Sequence, residues 1–407
     1  MLNSKYKLGE CCTIIAGQSP ESKYYNLNGD GLPFFQGKAD FGDVYPQIRV
    51  YCSQPIKIAE KDDILLSVRA PVGPTNLAPC KVCIGRGLTA IRPKDFLLTK
   101  YLLLYLKSFE LELASQGKGT TFKSITQNII KNLEIWIPSI EKQKQIVKQI
   151  EESLSQLDSA VETLNKTKQQ LEIYRQAVLK EAFLGKLSSH RPVSCSLSFL
   201  SSQESNNYPP IANEWKYIKL SCLGELARGK SKHRPRNDRK LFENGKYPFV
   251  QTGDVKKSDK YITDYENMYG DFGLQQSKLW KKGTLCITIA ANIAETAFLG
   301  MDACFPDSIV GFLPSEYVLP EYIRYFIESQ KVRLWAFAPA TAQKNINLKT
   351  LENLVIPYCS IEEQAEIIKI VDEKMSVCDR IKQVINQSLQ QAEALRQSIL
   401  KQAFEGN

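Results

Sequence analysis

The chain has 407 residues, with 53 Lys and Arg against 44 Asp and Glu, a formal net charge of +9. That length holds two ordinary domains, and the charge suits an anionic partner without naming one. No apolar run reaches membrane length and Met1-Leu-Asn-Ser-Lys-Tyr-Lys7 leads straight into polar sequence. Eleven irregularly spaced cysteines fit a reducing, cytoplasmic setting without a disulfide framework.

Residues 1–138 alternate short strands, turns and one helix. Residues 32–36, 63–69 and 88–93 read as strands, and residues 100–114 as a helix closed by Gly117-Lys-Gly-Thr120. Cys80-Lys-Val-Cys83 stands without a second pair or a nearby His, so Cys83 reads as a core position rather than a metal or redox site.

Residues 139–185 form one apolar-periodic segment with neither Gly nor Pro between Pro138 and Gly185. Ser139 is a natural N-cap, and Gly185 suits the left-handed stop. Val147, Leu154, Val161, Lys168 and Arg175 recur every seven residues, as do Ile150, Leu157, Leu164, Leu171 and Val178. This is a heptad seam on a helix roughly 65 Å long. The segment returns at residues 359–407. Tyr174-Arg-Gln-Ala-Val-Leu-Lys-Glu-Ala-Phe-Leu-Gly185 reappears as Leu395-Arg-Gln-Ser-Ile-Leu-Lys-Gln-Ala-Phe-Glu-Gly406, at a constant offset of 221. Ser360 and Glu363 supply a capping box there, and the second seam passes through Val371, Cys378, Ile385 and Ala392. Lys168 and Lys382 interrupt the seams and read as register devices. One apolar stripe needs a partner; the repeat itself is the simplest, and another chain or further helices are alternatives.

Residues 186–210 are Ser-rich and end in Pro209-Pro210, which is linker composition. Residues 211–358 then repeat the first domain. Cys83 through Pro93 matches Cys304 through Pro314, Tyr101 matches Tyr322 and Thr120 matches Thr341, each at 221. The offset drops to 215 for Gln36 and Gln251 and to 212 for Gly17 and Gly229, which marks loops of different length on one scaffold.

Gly224-Glu-Leu-Ala-Arg-Gly-Lys-Ser231 satisfies the pattern of a phosphate-binding loop, but its middle is stiff and Pro235 forbids a clean helix behind it. Its counterpart Gly17-Gln-Ser19 lacks the lysine. With only His190 and His233, neither a His-based triad nor a zinc site is credible. An amino-methyltransferase signature is missing too, since Asn207-Tyr-Pro-Pro210 has the wrong order. The chain reads as non-catalytic. Residues 228–260 carry eleven cations against four acids, a net of +7. Clustered Lys and Arg release counterions from a nucleic acid, although a solvated basic loop has the same composition. Gln36 and Gln251 bear amides of the kind that read adenine edges, and the same amides can equally cap turns.

With Pro33-Phe-Phe-Gln-Gly-Lys-Ala-Asp40, Asp63-Ile-Leu-Leu-Ser-Val-Arg-Ala-Pro-Val-Gly73, Cys83-Ile-Gly-Arg-Gly-Leu-Thr-Ala-Ile-Arg92, Pro248-Phe-Val-Gln-Thr-Gly-Asp254 and the two Arg-to-Gly helix ends in view, the chain resembles the specificity (S) subunits of type I restriction–modification systems over essentially its whole length. The resemblance implies an α+β tandem repeat: two mixed α/β target recognition domains, each followed by a long helix, with the helices pairing as an antiparallel coiled coil of pseudo-two-fold symmetry. It implies that each domain reads one half of a bipartite site in double-stranded DNA. Two methyltransferase (M) subunits and two restriction/translocase (R) subunits would be partners, and S-adenosylmethionine, ATP and magnesium would be used by those partners and not by this chain. With the basic stretch and the amides, the candidate DNA contacts are Gln18, Ser19, Gln36, Lys38, Arg69, Arg86, Lys118, Thr120 and Lys123 in the first repeat. In the second they are Lys230, Lys232, Arg234, Arg236, Gln251, Thr252, Lys256, Lys344 and Asn345. The basic charge is heavy in the second repeat and light in the first. The alternative is a coiled-coil scaffold that grips nucleic acid without reading it.

Overall fold

The computed structural model describes residues 4–117, 124–188, 193, 197–337 and 345–405. It forms two compact units, residues 1–166 with 385–407, and residues 167–384. Each unit therefore holds one repeated domain, the start of the long helix that follows it, and the end of the other long helix.

In the first unit, strand Leu88–Pro93 lies between Cys12–Ala16 and Ile64–Ser67, antiparallel to both, and Ile64–Ser67 also pairs with Thr75–Leu77. The apolar run of Ile64–Ser67 is buried on both faces, so hydrophobicity does not alternate along it. Ile64 and Leu66 face a core that includes Tyr101, Leu102 and Ile137. Leu65, one residue out of phase, faces a separate core with Phe35, Val82 and Ile84. A second sheet runs Tyr25–Asn26, Tyr51–Cys52, Leu32–Phe35, Val82–Ile84, Ile58–Ala59, with Phe34 and Cys83 paired in parallel.

The second unit repeats this frame. Ile309–Pro314 lies between Gly224–Arg228 and Leu285–Thr288, and the pairing Cys286↔Gly311 reproduces Leu65↔Ala90 at the same offset of 221. Phe249 pairs in parallel with Cys304, as Phe34 does with Cys83. Both cysteines are fully buried.

The expected helix over residues 100–114 is two helices, Thr99–Ser108 and Glu110–Ser115. No Gly or Pro marks the break. The Ser108 hydroxyl instead donates to the Tyr105 carbonyl at 2.6 Å, and the Phe109 ring packs 4.7 Å from that of Tyr105. The second repeat breaks likewise, between Pro320–Ser329 and Lys331–Phe337.

The long helices span Ile140–Ala182 and Ile361–Glu405. The Ser139 and Ser360 hydroxyls accept from the backbone amides of Lys142 and Glu363, both at 3.3 Å. Gly185 has a φ of +75°, the left-handed stop its position calls for, while Gly406 lies outside the described residues. The repeated Ala-Phe of the helix ends has a packing reason. Phe183 sets its ring edge-on against Tyr322 and Phe326, at 5.0 and 5.1 Å. Phe404 does the same with Tyr101 and Tyr105, at 5.2 and 5.4 Å.

The seam positions Ile150, Leu157, Leu171, Val178, Val371, Cys378, Ile385 and Ala392 are buried. Within the second unit Lys382 pairs with Glu172 at 2.8 Å and Arg175 pairs with Asp379, so the helices run antiparallel there. Within the first unit Arg396 pairs with Asp158.

The segment read as a linker is partly a packed arm. The Leu200 amide donates to the Tyr217 carbonyl at 2.8 Å, the Tyr217 hydroxyl donates to the Pro209 carbonyl at 2.6 Å, and the Phe199 ring lies 5.6 Å from that of Tyr358. Its aromatic residues supply the apolar surface that its serines obscure.

Candidate nucleic-acid interface

The site begins at a turn that both repeats build in one way. The Gly17 amide donates to the Leu88 carbonyl at 2.9 Å, and the Gly229 amide to the Ile309 carbonyl at 2.8 Å. The next amides, of Gln18 and Lys230, donate to the carbonyls of Ile84 and Phe305, both at 3.0 Å. A Cβ on Gly17 would stand 2.2 Å from the Gly85 carbonyl oxygen, and one on Gly229 would stand 2.3 Å from that of Pro306. Glycine is thus a requirement of backbone approach. This disposes of the phosphate loop: Gly224–Arg228 is a strand, the Lys230 amide is spent on the Phe305 carbonyl, and Ser231 is buried, with its hydroxyl 3.5 Å from that of Tyr269.

Gln36 and Gln251 are a second matched pair. Each follows a strand that pairs in parallel, and each backbone amide donates to a carboxylate at 2.8 Å, from Asp40 and Asp254 respectively. Both glutamine side chains are exposed. In the first unit Ser19, Gln36, Lys38, Arg69 and Arg86 line one open cleft of about 1050 Å³. The exposed Gln18 adjoins it through Ser19, whose hydroxyl accepts the Arg86 amide at 3.3 Å.

The second unit arranges charge differently. The position 221 residues after Arg86 is Asp307, whose carboxylate holds the Arg236 guanidinium at 2.7 and 3.0 Å. Arg234 folds back onto the Ser231 and His233 carbonyls at 2.7 and 2.8 Å. His233 meets Asp238 at 2.8 Å, and that bond, with the Lys240 amide, holds the Asp238 carboxyl below its ordinary range. Lys256 reaches Asn292 at 3.5 Å, and Thr252 opens the short helix Thr252–Lys257. Lys230 and Lys232 are exposed and, among the described residues, pair with no carboxylate. The Arg69 backbone bridges to Ser124, and Ala290 bridges to Asn345 at the equivalent place. Lys118, Thr120, Lys123 and Lys344 lie outside the described residues. Sequence reasoning missed Asp40, Asp254 and Asp307. The first two have a signal, an acid three or four residues after each glutamine; Asp307 has none, because its partner is distant in the chain.

The sequence profile described as "Type I restriction modification DNA specificity domain" matches residues 3–173 and again residues 213–391. The chain belongs to this family. It carries two target recognition domains in tandem, the arrangement of a type I specificity subunit. A Methanocaldococcus jannaschii protein named as a type I restriction enzyme specificity subunit is 40% identical over 175 residues, 43% of this chain and 40% of that relative. The EcoKI specificity subunit of Escherichia coli is 25% identical over 420 residues, covering 97% of this chain and 86% of the relative. In fold, the chain resembles a structure from a study of assembly and conformational transition of the type I system, with a TM-score of 0.74 at 18% identity, covering 99% of this chain and 97% of that one. It also resembles the HsdS subunit of Thermoanaerobacter tengcongensis, with a TM-score of 0.55 at 18% identity and coverage of 99% and 96%. Among the described residues no helix of this specificity chain is long and apolar enough to cross a membrane.

Proposed function

We propose that the chain reads a bipartite site in double-stranded DNA, one half-site per recognition domain, with the two long helices as the spacer. The observation that carries this reading is one backbone frame, built twice, that presents different side chains at matched positions: Gln18 against Lys230, both exposed, and exposed Arg86 against half-buried Asp307. A protein that only gripped the phosphate backbone would need positive charge at such places, not a change of hydrogen-bonding pattern.

The partners in this reading are two methyltransferase subunits and, in the full complex, two restriction/translocase subunits. They work in the cytoplasm and use S-adenosylmethionine, ATP and magnesium. The duplication of a groove beside each helix end favours two copies of one partner. One groove, of about 630 Å³, is lined by Phe183, Phe326 and Pro357. The other, of about 450 Å³, is lined by Phe404, Tyr105 and Trp136, the same positions at an offset of 221. Val377, Ile381 and Val384 add an exposed apolar stripe on the second helix, 46, 40 and 61% accessible, which suits a partner helix.

Co-expression with the cognate methyltransferase subunit, followed by mapping of methylated adenines, tests the proposal. A two-part motif is expected, and replacing residues 211–350 with those of a relative is expected to change one part only. Methylation without a motif, or a change in both parts together, would refute it. Lys230→Ala is expected to weaken DNA binding and leave ATP hydrolysis by the DNA-saturated complex nearly intact.

A further inference from the structure

We infer that the side chain at the Gly17/Gly229 turn gives the two half-sites different bases: Gln18 reads an adenine and Lys230 a guanine in the major groove. This rests on the DNA-reading function proposed above and deepens it.

Three observations bear on it. The first is equivalence. The amides of Gln18 and Lys230 donate to the Ile84 and Phe305 carbonyls at the same 3.0 Å, and those acceptors are 221 residues apart. The glycines before them pack within 2.2 and 2.3 Å (for an added Cβ) of the carbonyls of residues 85 and 306. The backbone at the turn is therefore fixed from both sides, and what differs is the side chain it presents.

The second is availability. Both side chains are exposed, and among the described residues neither makes an ion pair or a side-chain hydrogen bond. Arg234, Arg236 and Lys256, in the same basic region, are all engaged with protein oxygens. The third is surroundings. A Cβ on Gly85 would lie 3.1 Å from the Ser19 hydroxyl and 3.3 Å from the Gln36 Cα, so the turn and the clamped glutamine adjoin one another. In the second unit the Lys230 carbonyl is tied down by the Ser277 hydroxyl at 2.7 Å.

The chemistry then divides the two turns. A glutamine amide offers one acceptor and one donor group side by side, the complement of adenine N6–H and N7. A lysine ammonium offers only donors. It suits the two acceptors of guanine, O6 and N7, and can accept nothing from the amino group of adenine or cytosine. One such contact discriminates by about ten- to a hundredfold.

The test uses the full chain with its cognate methyltransferase subunits and duplexes carrying every single-base substitution of the methylated site. Lys230→Gln is expected to move the preference at one position of one half-site from G·C toward A·T by about ten- to a hundredfold, with the other half-site unchanged. Lys230→Arg is expected to keep guanine. Gln18→Lys, carried by the other unit, is expected to make the reciprocal change in the other half-site, and it decides the question independently of how the Lys230 variants fold. An unaltered base preference in Lys230→Gln and Gln18→Lys would overturn the inference. So would a uniform change in binding across all duplexes with a salt slope altered by about one, the mark of a phosphate contact. If the unaltered chain directs methylation to no defined sequence, the reading that fails is the proposed function itself.

Discussion

Gln143 and Gln364, 221 residues apart, join the first turn of each long helix to the domain that precedes it. Both are fully buried. The Gln143 amide oxygen accepts from the Leu98 backbone at 2.9 Å, and its nitrogen donates to the Phe96 and Pro138 carbonyls, both at 2.9 Å. Gln364 accepts from Leu319 at 2.9 Å and donates to Tyr317 at 3.3 Å and Cys359 at 3.0 Å. One side chain thus pairs with three backbone groups at each junction, the Tyr317 carbonyl also accepting the Tyr358 hydroxyl at 3.0 Å, and it ties the first turn of the helix to its domain.

Gln143→Leu has nearly the right volume and none of the polar atoms. It removes the partner of one part-buried amide and of two carbonyls, one of them buried, at a cost of about 1–3 kcal/mol. Hydrogen exchange by fragment should show faster opening in the first unit and unchanged protection in the second, and Gln364→Leu should do the reverse. Equal loosening of both units by either variant would contradict the two separate locks.

The Phe183 ring belongs to the core of the second unit although its helix starts from the first domain. It is buried against Tyr322 and Phe326. Phe183→Ala removes these contacts and should lower the stability of the second unit by about 3–5 kcal/mol. Phe183→Leu should recover most of it. Denaturant unfolding followed by limited proteolysis of the second unit measures both.

Cys83 gives a pH dependence. Burial, reinforced by neighbouring Cys52, pushes its thiol from 9.0 up to about 11. The folded state therefore keeps a proton that the unfolded chain gives up. This contribution to stability is fully present below pH 9.0 and is lost as pH rises through about 11. The difference is on the order of 2 kcal/mol. Cys83→Ala, which cannot titrate, should fall less steeply than the parent chain over that window in chemical denaturation. Parallel curves would show that the thiol is not protected by the fold.

Much of the frame was legible because its causes are local. Ser139 and Gly185 stop a helix by their own chemistry, and the heptads announce a buried stripe. The strand Leu88–Pro93 shows in its apolar residues because both faces of its sheet are covered. What stayed hidden depends on distant partners. The first strand, Ser4–Lys7, is polar and becomes a strand by pairing with Glu134–Ile137. The break at Phe109 comes with the Ser108 hydroxyl bonded to the Tyr105 carbonyl, as Ser329 is to Phe326 in the second repeat, and not with a breaker residue. At the candidate interface, Gln36 and Gln251 could be picked by residue type. That Arg236 is held by Asp307 while Lys230, among the described residues, pairs with no carboxylate could not, because a count of charges does not say which are neutralised within the fold.

A heptad seam shows that a helix has a partner, but neither its direction nor which chain supplies it. Within the second unit the ion pairs give the direction, and both members of each belong to this chain. Lys382 with Glu172 and Arg175 with Asp379 advance along one helix while retreating along the other. Of the four groups, the Arg175 side chain is the least exposed at 18%, while Asp379 is 61% exposed, so one end of that bond is partly desolvated and the other is in water. Such a pair should exceed the few tenths of a kcal/mol of a fully solvated one and stay near 1 kcal/mol. Reversing one member, Asp379→Arg, sets two guanidiniums against each other and should destabilise the second unit by about that much. Adding Arg175→Asp should restore most of the loss, with the gain shrinking as salt is raised. Because both partners belong to one chain, the restored midpoint should not depend on protein concentration. A recovery that appears only as concentration rises would mean that the seam pairs between chains, the alternative that the heptads by themselves leave open.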